Sequence, residues 1–383
     1  MALRRIASNT FLFLLALSYL LMSSPSLPDV YTVSNAPTPM LGQFNMELQI
    51  DTVFDSLKAP PFLDVFYIGD FAVDSLENIF LFANRSIIKC SKSGDYIRHY
   101  PIRIGQGPGE FNDHVRHVYS DRNDRVYVED NSKLVVLSND LVFEKNVPVS
   151  PTNNPVCFDD SSNIYCMKRK FGTNGIEYAL YKFDLSGQER CKFASFNAGG
   201  YQRQGGLTVA SMHEYRPNAY YSINSNFLYY SYNFEYVIYR FDLDGKLSAK
   251  FLVNERPITM SDEERAYVLQ RTKRTIKANF ALDIPMDFPK NRPFSSGLLC
   301  DEKGRLYLVK FKSVLDETEG FTVLIFSNKG RFLYSSRIPY FPRIIRNGVI
   351  FALDTYRLDE EADPSYRIIK LTIKNYDQMK SDI

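Results

Sequence analysis

The chain of 383 residues has no tryptophan, four histidines and five cysteines. With only His99, His114, His117 and His213 available, chemistry that needs several imidazoles together has few places to occur. Cys90, Cys157, Cys166, Cys191 and Cys300 show no C-x-x-C and no zinc-type spacing, and an odd number leaves at least one thiol unpaired. Cys157 and Cys166 flank the turn "DDSSN" and could face each other across a hairpin, as a disulfide or as two buried thiols. G-x-S-x-G and the Walker lysine are both missing, and no apolar run after the N-terminus is long enough to span a bilayer. An excess of one charge is missing too. The formal charge is +2, and it falls to 0 once Arg4 and Arg5 are set aside with the leader described next. A neutral chain lacks the basic field that attracts nucleic acid, so no nucleic-acid partner is expected.

The first 26 residues have the pattern of an export signal: Arg4 and Arg5, then the 12-residue apolar run Phe11–Met22, then the small residues Ser23–Ser26. No clean A-x-A follows. Residues 1–26 are therefore expected to be a cleaved signal or a retained anchor, residues 27–44 a flexible linker, and the protein extracytoplasmic, touching membrane only if the segment is kept. Residues 377–383 are expected to be a C-terminal tail.

Aromatic residues are plentiful, with 29 Phe and 26 Tyr, which favours strands. They also repeat. An Asp-led turn and a β-rich run with an aromatic six residues after the Asp occurs at Asp74/Phe80, Asp121/Tyr127, Asp159/Tyr165 and Asp301/Tyr307. Degenerate copies surround Tyr229 and Phe351, which makes six. Most copies are followed by a run closing in a Gly turn: "CSKSG", "FDLSG", "FDLDG" and "FSNKG". Each unit reads as four antiparallel strands, and six such units predict an all-β, six-bladed β-propeller over residues 45–376. A thin sheet cannot bury both faces alone, but it can between two neighbours. The aromatics fall 47, 38, 64, 78 and 44 residues apart, so the long intervals carry insertions. "MELQIDTVF" (Met46–Phe54) is expected to pair with the last blade and close the ring. Ser261–Phe280 opens with Ser261 and Glu264 as a capping box and is expected to be a helix between blades four and five, either a solvated filler or a lid or docking element.

These Asp-turn strands, the "FDxxG" turns, "GQGPGEF" and "FPKNRPFSSGLLCDEKGRLYL" resemble those of exported bacterial six-bladed β-propeller proteins of NHL-repeat type. The resemblance runs from Leu63 to Lys374. It implies the fold and little about activity.

"IGQGPGEF" (Ile104–Phe111) is not a nucleotide cradle, because Glu110 stands where the third glycine would be and no βαβ unit surrounds it. An inter-blade turn is expected. Asp113, His114 and His117 are the weak candidates for a metal, and no metal or other cofactor is expected. "DLDG" (Asp242–Gly245) lacks the later acids of a calcium loop. Arg116, Arg216, Arg292 and Arg343 precede the predicted innermost strands, where one mouth of the axial channel gathers the strand ends. With His117 they form the expected ligand site, suited to an anion such as a carboxylated sugar or a phosphate. The tyrosines of His213–Tyr239 are divided by strand alternation between core and surfaces that could stack on a sugar or a partner. The chain is therefore read as a monomeric, non-catalytic binding or scaffold module for a small molecule or protein. The alternatives are an extracytoplasmic metal-dependent hydrolase or lyase with an axial site, and a partner-binding subunit using the Ser261 helix.

Overall fold

The computed structural model describes residues 30–60, 65, 67–112, 115–151, 155–172, 175–198, 203–204, 207–208, 215–280, 288–358 and 363–381. The export signal expected over residues 1–26 lies outside them. The unit Thr32–Ile383 holds the ring. No helix among the described residues is long and apolar enough to cross a membrane.

Six antiparallel sheets of four ring strands are present. Blade 1 is the closing sheet: Ile344–Arg346, Val349–Tyr356 and Ser365–Ile373, completed on its outer edge by Leu48–Asp55 from the other end of the chain. Blades 2 to 6 are meanders that begin at Ile68, His117, Cys157, Ala219 and Ser295. The first strand of each blade is innermost, and the first strands of blades 2 and 3, 4 and 5, 5 and 6, and 6 and 1 touch. The closing strand pairs antiparallel with Ser365–Ile373, Leu48 opposite Ile373 and Asp55 opposite Arg367, as the Met46–Phe54 pattern predicted.

The six-residue spacing has a direct physical cause. Tyr127 donates its hydroxyl to Asp121 at 2.9 Å, Tyr165 to Asp159 at 2.9 Å and Tyr307 to Asp301 at 2.8 Å. The other oxygen of Asp121 or Asp159 accepts the backbone N–H groups two and four residues on, which closes the turn. One aspartate thus fixes the turn and satisfies a phenol buried in the next strand. All six repeat aromatics are at most 2% exposed. The "FSNKG" turn needs its glycine: Gly330 has φ +82°, and a Cβ there would lie 2.0 Å from the Phe251 ring of the preceding blade.

The helix spans Asp262–Phe280, with the Ser261 hydroxyl accepting the Glu264 N–H at 3.1 Å and Glu264 accepting the Ser261 N–H at 3.0 Å. Numbered from the closing sheet, which owns the earliest ring strand, it lies between blades 5 and 6 rather than four and five. The sequence count began at Asp74 and placed that sheet, through Phe351, sixth instead of first. Two further differences concern the ends. The described part of the expected linker carries the strand Tyr31–Asn35, which extends the sheet of blade 5, and backbone bonds from Met40, Leu41 and Phe44 to blade 6. Asn35, 6% exposed, ties the two blades together through Leu252 O, Gly330 O and the Phe332 N–H. At the other end, Met379 is buried and its carbonyl accepts from Arg305, so this part of the expected tail is packed. Neither segment is strongly apolar: Val33, Phe44 and Met379 pack against the core, and the rest is held by hydrogen bonding that the hydrophobic pattern does not report.

All five cysteines are free thiols. Cys157 lies opposite Tyr165, not Cys166, so the two thiols do not face each other across the hairpin.

Candidate functional site

Every inner strand runs from the same mouth of the ring towards a tight turn, Asp-led in four blades and Asn-containing in the other two, so the residues just before it share one face. On that face also lie the helix and the long connections between blades.

"IGQGPGEF" forms the turn into blade 3. The Gly105 N–H bonds the Phe111 carbonyl at 2.8 Å, and the Glu110 N–H bonds Gly107 O at 3.1 Å. The Gly107 N–H donates to the Glu110 carboxylate at 2.8 Å. A Cβ on Gly105 or Gly107 would lie 2.1 or 2.9 Å from that carboxylate. The glycines make room for an anion, and the anion is the loop's own Glu110.

At the axial mouth, Asp70 brings two of the expected ligand residues together. His117 places Nδ1 2.9 Å from Asp70 Oδ2, and Arg343 places a terminal nitrogen 3.7 Å from Oδ1. Asp70 comes from the inner strand of blade 2, His117 from that of blade 3, and Arg343 from the connection into blade 1. Glu129 faces His117 across the antiparallel pair, is fully buried, and accepts the Tyr119 hydroxyl at 2.7 Å. Its other oxygen has no hydrogen-bond partner among the described residues. Arg116 donates its backbone N–H to Glu129 O at 3.0 Å, and its charge acts on the Glu129 carboxylate. Below, Tyr119 and Tyr221 are buried, and Tyr221 donates to Pro155 O.

The electrostatics follow from burial against pairing. Burial alone would lower the pKa of His117, but the hydrogen bond and charge of Asp70, with Glu129 beyond it, outweigh burial and raise it. Burial raises Glu129 above the ordinary carboxylate value, against the pull of Tyr119, His117 and Arg116. Burial, then the Glu129 and Asp70 charges, pushes the Tyr119 phenol far up, so it stays a donor. The His117 Nε2 makes no hydrogen bond among the described residues. The mouth therefore offers an exposed guanidinium, an imidazole that readily gains a proton, and a shallow polar floor.

Of the expected residues, Arg116, His117 and Arg343 converge here. Arg292 does not; its Nε binds Glu264 of the helix at 2.7 Å. Arg216 is exposed on the same face, and its charge acts on Tyr220 of the blade 5 inner strand. Asp113 and His114 lie outside the described residues. Among the described residues, no three His, Cys, Asp or Glu side chains are grouped as a metal site. Sequence reading missed Asp70, Tyr119 and Glu129. A signal existed: "IGDFAV" and "VYVED" each place a carboxylate in an otherwise apolar inner or second strand, where only a functional or paired acid is tolerated.

No family model and no curated protein matches the chain. Solved structures similar in fold include a gluconolactonase from Xanthomonas campestris, at 11% identity and TM-score 0.43, covering 85% of this chain and 90% of that one. They also include a DUF4221 family member from Bacteroides vulgatus, at 11% identity and TM-score 0.44, covering 85% and 99%. A calcium-binding protein, regucalcin, from Agrobacterium tumefaciens has 10% identity and TM-score 0.40, covering 90% and 97%. Similarity at this level concerns the architecture alone.

Proposed function

We propose that this protein is a ligand-binding propeller that takes a small carboxylate-bearing molecule, such as an acidic sugar, at the axial mouth. The observation that carries the reading is the junction at Asp70, where a side chain from each of three blades meets on the channel wall. Asp70 holds Arg343 only loosely, at 3.7 Å, and the Arg343 side chain is 45% exposed, so its planar fork is available to a carboxylate. His117, with its raised pKa, adds a second positive charge as pH falls. The Arg4–Ser26 pattern and the resemblance of the repeats to those of exported propellers support an exported module, and the neutral charge argues against a nucleic-acid partner.

Calorimetric titration with glucuronate at low ionic strength tests the reading. Arg343→Gln should weaken glucuronate about tenfold, or ~1.4 kcal/mol, the worth of one charge-assisted pair. Glucose, which lacks the carboxylate, should show no saturable binding. Equal affinity in the wild type and the Arg343→Gln variant would remove the axial mouth as the site.

A further inference from the structure

We infer a second ligand site, independent of the axial mouth, in the cleft between blades 5 and 6, built for a small ring-bearing phosphomonoester. The cleft has a volume of about 380 Å³, within the range of small-molecule sites. Its lining carries four cations, Arg292, Lys310, Lys312 and Arg337, against two carboxylates, Glu255 and Asp316. Lys310 is paired with Glu255 at 2.6 Å. Lys312 and the Nε of Arg337 each donate at 2.6 Å to carbonyls of one hairpin, Thr318 O and Glu319 O. Those bonds fix the two side chains, and the charges of both also act on the nearby Asp316 carboxylate.

Arg292 is the most strongly positioned of the four. Its Nε is held by Glu264, which is fully buried and also accepts from the Ser261 N–H, the Tyr215 hydroxyl and the Ser313 hydroxyl. Burial would raise the pKa of Glu264, but these bonds together hold it below the ordinary carboxylate value, so it remains an anion. The helix therefore acts as a strut. Its first turn orients the Arg292 guanidinium, whose two terminal nitrogens make no hydrogen bond among the described residues. Two such forks and an ammonium present more donors than one carboxylate can accept, whereas a phosphate dianion has three oxygens for them. An aromatic wall stands beside the cations: Tyr236 stacks on Phe294 with centroids 4.1 Å apart and planes 28° from parallel. That wall suits a sugar or other ring on the phosphate.

The test is calorimetry on the full chain with glucose 6-phosphate, inorganic phosphate and glucose at low ionic strength. Glucose 6-phosphate should bind, inorganic phosphate should bind several-fold more weakly, and glucose should not bind. Arg337→Gln and Lys312→Met, which leave the Glu264 hub intact, should each weaken glucose 6-phosphate about tenfold. Arg343→Gln should leave it unchanged. The proposal is overturned if glucose 6-phosphate does not saturate, or if it binds no tighter than inorganic phosphate. It is equally overturned if Arg343→Gln weakens it as much as Arg337→Gln does, because the ligand would then sit at the axial mouth.

Discussion

Replacing Arg305 with alanine should destabilise the ring by about 3–5 kcal/mol, the cost of leaving one member of a buried ion pair uncompensated. Arg305 and Asp301 are both fully buried, with Nε 2.7 Å from Oδ2. That Asp301 oxygen also accepts the hydroxyls of Tyr307 at 2.8 Å and Tyr376 at 3.0 Å. Arg305 in turn donates to Met379 O at 2.7 Å and lies 4.1 Å from the centre of the Tyr376 ring. The pair therefore joins the blade 6 turn to the C-terminal segment beyond blade 1. Its loss would strand the Asp301 charge and release Tyr376 and Met379 from the core. Urea unfolding should show a large fall in midpoint for Arg305→Ala and a partial recovery in Asp301→Asn combined with Arg305→Met, which removes both charges. A loss below about 1 kcal/mol in the single variant would show that the pair does not lock the ring.

A chain beginning at residue 59 should lose cooperative unfolding altogether, while one beginning at residue 45 should keep it. The difference between them is residues 45–58, which include the closing strand Leu48–Asp55. Without this strand, the outer edge of Ser365–Ile373 has unpaired backbone groups along its length, an invitation to association. Val53 and Phe54, 8% and 5% exposed, also leave the core between blades 1 and 2, and truncating a buried phenylalanine alone costs about 3–5 kcal/mol. The chain from residue 45 loses the Asn35 bonds, which are worth less. Thermal unfolding followed by circular dichroism, with sedimentation to detect association, separates the two. A sharp transition at unchanged temperature from the residue-59 chain would mean that the ring does not depend on this closure.

Much of the ring was legible because its repeat is chemical as well as hydrophobic. An aspartate six residues before a buried tyrosine is a hydrogen bond written into the sequence, and it located three of the six turns directly. At Asp74 the aromatic is Phe80, which has no hydroxyl, and the second oxygen is satisfied instead by Asn78 and Asn139. The pattern survives there while the bond does not. The site was less legible. The four arginines do precede inner strands and His117 opens one, but strand alternation does not say which gap between blades a side chain enters. Hence Arg292 went to Glu264 while Arg343 went to Asp70. Asp70 itself is a neighbour of His117 only because the ring brings residues 47 positions apart onto adjoining strands. The packing of residues 31–44 rests on Asn35, on backbone bonding and on two isolated apolar contacts, Val33 and Phe44, none of which leaves a periodic trace.

The most direct measurement on the axial mouth is the titration of the histidine ring signals by NMR, with and without glucuronate. His117 has a pKa above the ordinary 6.5, so it carries more charge at neutral pH than a free imidazole. An anion bound beside Arg343 favours the imidazolium further. Its addition should raise the His117 pKa, and by linkage glucuronate should bind more tightly as pH falls through that value. The signals of His99, whose Nδ1 lies 2.9 Å from the Tyr96 hydroxyl on an outer strand, should not respond to glucuronate. A His117 titration unchanged at high glucuronate would contradict binding at the mouth, and a response of both rings alike would mark non-specific association.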